Sequence, residues 1–466
     1  METALSTPAP PPQKHLPNPT HHALPASRTV SLRVSIQTLG CRLNQADSAL
    51  LAADFTAHGY AVVPWGEPVD VAVINSCAVT AVATQKSRHA VSQARRLNPQ
   101  AFVVLCGCAA SDRHALDSAD HALPDLVVPN PKPPSLAALL PDPPVHCDAV
   151  CWRHESAAAS EGFVIPLTGR YSVHTRAHLK IQEGCNFHCT YCIVPQTRGE
   201  AHSRDKADVL REARELLACG HKELVITGVN IATYCNHGAD LAGLLEELLS
   251  LPGDFRLRLG SVEPGPVLDR LISLMEREDR ICRFLHLPVQ YGHDAILRRM
   301  GRHYDCAQYA ATVADAVSRL DGICIGTDLM VGFPGEDDAI FEQCRRFVEA
   351  MPYGLMHVFS YSPRQDTPAA GWPRPPSDAV ASREKSMLAL ARRKAEAFAR
   401  HQLGRTVRVL IEKDGSGWSE NYLKVQLPPE DRLPPNSFCT CRICAVENAA
   451  SRTVRGELSS NIKTNP

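Results

Sequence analysis

The chain has 466 residues, 44% apolar and 21% charged, and a formal net charge of −1. That length exceeds one small core and implies two or three domains of ordinary globular composition. The near-zero charge excludes a global electrostatic case for nucleic acid or membrane binding, so any such case must rest on local patches.

The first thirty residues, rich in proline and lacking the apolar run of a signal peptide, read as a disordered extension, 1–31. No stretch approaches the ~18 apolar residues of a membrane helix. Without a secretory leader, 18 cysteines argue for reduced thiols acting as metal ligands rather than for disulfides, and for a cytoplasmic protein.

From Leu32 strand and helix patterns alternate: "LRVSIQTLG", "NQADSALLAADFTAHG", "VDVAVINSC", a helix from about Thr80 to Arg96, "AFVVLCGC" and "PDLVVPN". Such βαβ units predict a parallel α/β domain over 32–140. A Pro-rich linker follows, 141–171. Six more strands alternating with amphipathic helices, from "AHLKIQEG" to "GLMHVFSYS", predict a partial (β/α)6 barrel over 172–402, with its active site at the carboxyl ends of the strands. A basic helix, "SREKSMLALARRKAEAFARHQLGR", then leads into short strands around a Gly-rich turn. These predict a small all-β barrel over 403–460.

Cysteines carry the chemistry. Cys185, Cys189 and Cys192 stand as C-x3-C-x2-C directly after the first strand of the central region. Three thiolates on one loop hold three corners of a cubane iron–sulfur cluster and leave one iron open. Zinc with a distant fourth ligand, or buried thiols, are the competing readings. Cys41, Cys77 and Cys108 each follow a predicted strand of the first region, about one βαβ unit apart. Equivalent turns of successive units converge outside the carboxyl ends of a parallel sheet. Cys106, two residues before Cys108, reads as a core thiol.

The loop "TRAHLKIQEGCNFHCTYCIVPQTRG" opening a barrel resembles the radical S-adenosylmethionine (SAM) superfamily. Two three-cysteine sets followed by a small β-barrel resemble its methylthiotransferases, over about Leu32 to Leu458. The resemblance implies two [4Fe-4S] clusters. At the first, SAM is bound on the open iron and cleaved to methionine and a 5′-deoxyadenosyl radical. At the second, an external sulfur is methylated before its insertion at a substrate carbon. It also implies a sulfur source and an electron donor as partners.

By the same resemblance Thr227, Gly228, Asn230, Glu263, Gln290 and Asp328, at later strand ends, face SAM. Tyr291, where the family usually has a small serine, departs from the pattern. The terminal barrel resembles a TRAM domain through "GWSENYLKV", which implies tRNA contacts from Tyr422 and Lys424, joined by Arg392, Arg393 and Lys394 of the basic helix.

"LGCRLNQADS" resembles the class that modifies N6-threonylcarbamoyladenosine beside the tRNA anticodon. The isopentenyladenosine class typically has Gln-Met-Asn after that cysteine, and the class acting on a ribosomal-protein aspartate has Pro-Lys-Asn. A zinc-stabilised RNA-binding protein is the non-enzyme alternative. Cys439, Cys441 and Cys444 read as a closing strand rather than a metal site, because Cys444 points to the opposite strand face. Cys147 and Cys151, in the linker, read as incidental.

Overall fold

Alternating strand and helix segments resolve, in a computed structural model, into three regions that form one compact unit from Leu32 onward. The structure describes residues 31–112, 114–115, 122–130, 135–146, 152–153, 163–165, 175–448 and 452–459. The N-terminal extension, Cys147, Cys151 and most of the linker lie outside them.

The first region is a six-stranded sheet in the order β2-β1-β3-β4-β5-β6. Its strands are β1 (Arg33–Thr38), β2 (Ala61–Val62), β3 (Val71–Ser76), β4 (Phe102–Gly107), β5 (Leu126–Val128) and β6 (Trp152–Arg153), and every pairing is parallel. The order doubles back between β1 and β3, the switch point where open α/β sheets gather ligands. Strands β3 and β4 are buried throughout, as a sheet covered on both faces requires. Cys106 is a core thiol of this sheet. The edge strand β6 comes from the stretch expected to be linker. At two residues it is too short for a periodic pattern, and its pairing with β5 supplies the order.

The central region contains β7 (Arg176–Lys180), the antiparallel pair β8 (Gln182–Glu183) and β9 (His202–Ser203), β10 (Glu223–Thr227), the hairpin β11 (Cys235–Asn236) and β12 (Ala239–Asp240), β13 (Arg256–Leu259), β14 (Phe284–His286), β15 (Cys324–Val331) and β16 (Tyr353–Ser360). Two parallel sheets, β13-β10-β7 and β14-β15-β16, meet where Val262 N donates to His286 O and Cys282 N to Leu257 O. The result is a six-stranded open barrel with β7 and β16 as its edges. Its helices are amphipathic and locally capped; Cys306–Arg319, for example, starts with a capping box between Asp305 and Gln308.

The first region closes the gap between those edges, which an open sheet must cover. On the β7 side, Lys180 reaches Asp47 at 2.9 Å. Beyond β16, Arg364 reaches Asp112 at 2.5 Å, and Ser362 Oγ accepts from Ala81 N.

The small barrel, β17 (Thr406–Ile411), β18 (Ser416–Ser419), β19 (Lys424–Gln426), β20 (Phe438–Asn448) and β21 (Thr453–Leu458), closes in the order β17-β18-β19-β21-β20. Cys439 and Cys441 are buried in its core on β20, whereas Cys444 is half-buried beside a register shift. This barrel docks on the amino-terminal mouth of the central one. Arg256, the first residue of β13, donates to Arg408 O and Trp418 O, and Arg258 to Ser419 O. Glu223, the first residue of β10, neutralises both guanidiniums.

Candidate functional site

Cys185–Cys192 is fixed before any cluster is considered. Gly184 has φ +67°, and a Cβ there would lie 1.8 Å from Glu200 O, so only glycine lets the loop close on itself. Cys185 N donates to Gly199 O, Cys192 N to Cys189 O, and Thr190 N to Met300 O. Burial pushes the Cys192 thiol up to about 12, and the neighbouring thiols Cys189 and Cys185 add to the rise. Such thiols become thiolates when a bound metal takes them as ligands.

The other set forms at the switch point. Cys41 follows β1, Cys77 follows β3 and Cys108 follows β4. A Cβ on Gly40 would meet Cys77 Sγ at 2.7 Å, and one on Gly107 would meet Ser76 O at 2.7 Å. Two of the turns therefore exist only with glycine. Asn44 ties the first two turns together by donating to Leu39 O and Ser76 O. Burial raises the Cys77 thiol to about 11, with Cys108 and Cys41 contributing to the rise.

Arg198, which sequence reasoning did not assign, links the segment of one set to the thiols of the other. It ends the short helix Val194–Arg198 just beyond Cys192 and is almost wholly buried. It donates to Cys108 Sγ at 3.1 Å, Glu183 at 2.7 Å and Asn44 at 2.5 Å. Lys180 joins Glu183 to Asp47. Desolvation pushes the Glu183 carboxyl up, but Arg198 and Lys180 outweigh it and hold it below the usual carboxylate range. The same segment thus supplies the C-x3-C-x2-C thiols and a cation against the other set. Glycine and arginine in "QTRGE" are visible in the sequence, but nothing local says which partner a buried arginine meets.

The positions expected around SAM divide in two. Gln290 and Asp328 line, with Cys192, Val79 and Thr80, a cavity of about 190 Å³ beside the three-thiol loop. Gln290 is held at φ +64°, its N donating to Asp328 O, a strained conformation of the kind that clusters at functional sites. Asn230 is buried, and its Oδ1 has no hydrogen-bond partner. This orphaned acceptor suits the amino group of an amino-acid ligand.

Thr227 and Gly228 are more enclosed. Thr227 Oγ1 donates to Val225 O, and a Cβ on Gly228 would press on Ile231 and Gln182. Glu263 is ion-paired with Arg302, which also reaches Cys189 Sγ at 3.5 Å and Tyr191 OH at 3.3 Å. Tyr291 is fully buried, and its neighbours include Cys344 and Glu336. It is not among the residues lining the Gln290 cavity.

Of the expected RNA contacts, Arg392 and Arg393 are exposed on the helix Ser377–His401. Lys394 instead donates to Glu349 O and Met351 O of the central barrel. Lys424 pairs with Asp414 at 3.2 Å. Tyr422 is half-buried between the barrels, its ring 4.6 Å from Phe284 and 5.0 Å from Trp418.

The donor geometry bears on which metal group fits. Thiolates of a tetrahedral zinc lie about 3.8 Å apart, given Zn–S near 2.3 Å. Among the described residues, the one group of three potential ligands whose donor atoms all lie within 4.8 Å of one another is His286, Asp328 and His357. Neither cysteine set is drawn in that tightly. Neither set is therefore preformed to place all three thiolates on one tetrahedral zinc.

Comparison with known proteins places this geometry. Residues 179–348 match the radical SAM superfamily, and residues 33–128 match the uncharacterized protein family UPF0004. The threonylcarbamoyladenosine tRNA methylthiotransferase MtaB of Aquifex aeolicus (strain VF5) is 33% identical over 402 residues, 85% of this chain and 96% of that protein. The chain belongs to the radical SAM methylthiotransferase family.

MtaB of Chlamydia pneumoniae is 31% identical, over 88% of this chain and 94% of its own. The tRNA-2-methylthio-N(6)-dimethylallyladenosine synthase of Cereibacter sphaeroides (strain ATCC 17025 / ATH 2.4.3) is 32% identical, over 83% and 88%. Among solved structures, the radical SAM methyltransferase TsrM from Kitasatospora setae superposes with a TM-score of 0.53 at 16% identity, over 73% of this chain and 75% of that one, a likeness of fold. Membership in the radical SAM superfamily brings SAM and one [4Fe-4S] cluster, and the residues matched to that superfamily include Cys185, Cys189 and Cys192. Among the described residues, no helix is long and apolar enough to cross a membrane.

Proposed function

We propose that this protein is a cytoplasmic tRNA methylthiotransferase that adds a methylthio group at C2 of N6-threonylcarbamoyladenosine at position 37. Cys185, Cys189 and Cys192 would hold the cluster that binds and cleaves SAM, and Cys41, Cys77 and Cys108 a second [4Fe-4S] cluster that presents sulfur. The observation that carries this reading is that Arg198, on the segment that follows Cys192, donates to Cys108 Sγ and so brings the segments of the two incomplete cysteine sets together. When bound, SAM supplies the methyl group and the hydrogen-abstracting radical; the sulfur and the electron come from outside the chain.

The protein's own residues do the positioning. Arg198, Glu183, Lys180 and Asp47 form a buried charge network joining the first domain to the cysteine loop. Closure of the open barrel by the first domain keeps water from a reactive centre. Asn230, Gln290 and Asp328 would contact SAM, with Thr227, Gly228 and Glu263 shaping the wall behind. Arg392 and Arg393 would meet phosphates at the exposed helix face.

The relatives named for dimethylallyladenosine give a second tRNA substrate. Mass spectrometry of tRNA nucleosides from a deletion strain separates the two. Loss of the methylthio form of threonylcarbamoyladenosine is the expected result. Its persistence, with loss of the dimethylallyl product or an altered ribosomal-protein aspartate, would overturn the assignment.

A further inference from the structure

Inside the central barrel, near its junction with the small barrel, is a second cavity of about 220 Å³. Six of its seven lining residues carry polar or charged side chains, Arg42, Gln45, Arg176, His178, Arg258 and Tyr422, and the seventh is Val225. Arg42 follows Cys41 directly in the chain, and its charge acts on Asp328, a residue that lines the cavity beside the three-thiol loop. Arg42 donates to Tyr422 OH at 2.7 Å. Arg42, Arg258 and Arg452 all lie within 5.4 Å of the Tyr422 ring centroid. Tyr422 is held at φ +67°, a costly conformation for an aromatic residue that surrounding packing must enforce.

The guanidiniums are not equally committed. Arg258 is bound by both oxygens of Glu223 and donates to Ser419 O. Arg176 pairs with Glu412 at 3.3 Å and stands over Trp418. Among the described residues, no carboxylate lies within ion-pair distance of Arg42. Its planar fork lines the cavity, and such a fork matches a carboxylate with two parallel hydrogen bonds. An apolar occupant would leave those donors desolvated and unpaired.

We infer that this cavity is a subsite for the carboxylate of the N6 substituent of the modified adenosine, with Arg42 as its bidentate partner and Tyr422 as the residue that positions Arg42. The inference rests on the substrate reading above and deepens it. The carbon that receives sulfur and the N6 substituent flank the same ring nitrogen of adenine. A base whose C2 is presented beside Cys41 therefore directs its N6 group toward the immediate surroundings of that cysteine. A threonylcarbamoyl group ends in a carboxylate, whereas an isopentenyl group has no polar atom to satisfy Arg42.

The test compares anticodon stem-loops that carry threonylcarbamoyladenosine, its carboxamide counterpart, or isopentenyladenosine at position 37. Affinity is read by fluorescence anisotropy and kcat/KM by mass spectrometry, with the cluster-reconstituted full chain. The expected result is a preference for the acid over the amide of roughly ten- to a hundredfold, the range of one charge-assisted contact. Arg42→Gln should bring that ratio close to one, at matched iron content and melting temperature, and Tyr422→Phe should lower it by less. Equal use of acid and amide by the unmodified protein overturns the subsite without needing any variant, and so does an Arg42→Gln protein that keeps the ratio. Action on the isopentenyl stem-loop alone removes the substrate reading itself, a result distinct from failure of the subsite.

Discussion

In the central barrel, Cys185, Cys189 and Cys192 come from one loop whose closure depends on Gly184 and on hydrogen bonds within a few residues. In the first domain, Cys41, Cys77 and Cys108 come from three separate strand ends and meet because the sheet order doubles back between β1 and β3. One set is assembled by local backbone geometry and the other by topology. The local set can survive disturbance elsewhere in the chain, whereas the distributed set needs the whole sheet.

The largest expected effect separates the two sets chemically. Cys189→Ala should abolish 5′-deoxyadenosine formation from SAM under reducing conditions. Cys77→Ala should leave uncoupled SAM cleavage measurable while stopping methylthio insertion. Equal loss of SAM cleavage in both variants would break the division of labour.

Arg198 is where the comparison sharpens, since it belongs to one loop and touches the other set. Arg198→Met removes a buried cation and leaves Glu183 and Asp47 to share Lys180 alone. Breaking such a network costs about 3 kcal/mol, readable as a lower midpoint in urea unfolding of the metal-free chain. Insertion should fall further than SAM cleavage, because the Arg198 guanidinium donates to Cys108 Sγ, in the set assigned to sulfur.

A change remote from both sets serves as the control. Desolvation raises the Glu223 carboxyl, but Arg258 and Arg256 outweigh it and hold the group below the usual carboxylate range. A folded-state pKa below the unfolded one contributes stability that is present above about pH 4.3 and is lost as pH falls through the folded value. Glu223→Gln should therefore destabilise the chain at neutral pH, by about 3 kcal/mol for two guanidiniums deprived of one shared counter-charge. It should also flatten the loss of stability on acidification. Unfolding at pH 7 and pH 3 checks both. A parallel acid response in the two proteins would place the stabilising charge elsewhere.

The same local-versus-distributed divide explains what is legible in the sequence. Both cysteine sets can be read there, one from its spacing and the other from the regular recurrence of cysteines at strand ends, and so can the three domain classes. The buried network cannot. Lys180, Glu183, Arg198 and Asp47 look like ordinary surface charges until the first domain lies across the open barrel. Trp152–Arg153 is too short to show a period, so the sixth strand of the first sheet reads as linker. Tyr422 belongs to a segment that resembles an RNA-binding module, and only the docking of the small barrel shows that its ring lies between Phe284 and Trp418. Residues that act through contacts far apart in sequence carry no local pattern.

The smallest effect is expected on the exposed helix face. Arg393 lies 3.7 Å from Glu349 with both side chains largely in solvent, a pairing worth ~0–1 kcal/mol, and Arg392 is exposed as well. Replacing both with alanine should leave the unfolding midpoint almost unchanged. If these guanidiniums neutralise tRNA phosphates, affinity should fall a few-fold at physiological salt. The slope of log affinity against log salt should also become shallower by about one per phosphate left unneutralised. The slope is the more decisive readout, because a general loss of folding would lower the fraction of active protein without changing it. An unchanged slope would mark this face as solvated surface and leave recognition to the cavity that Arg42 and Tyr422 line.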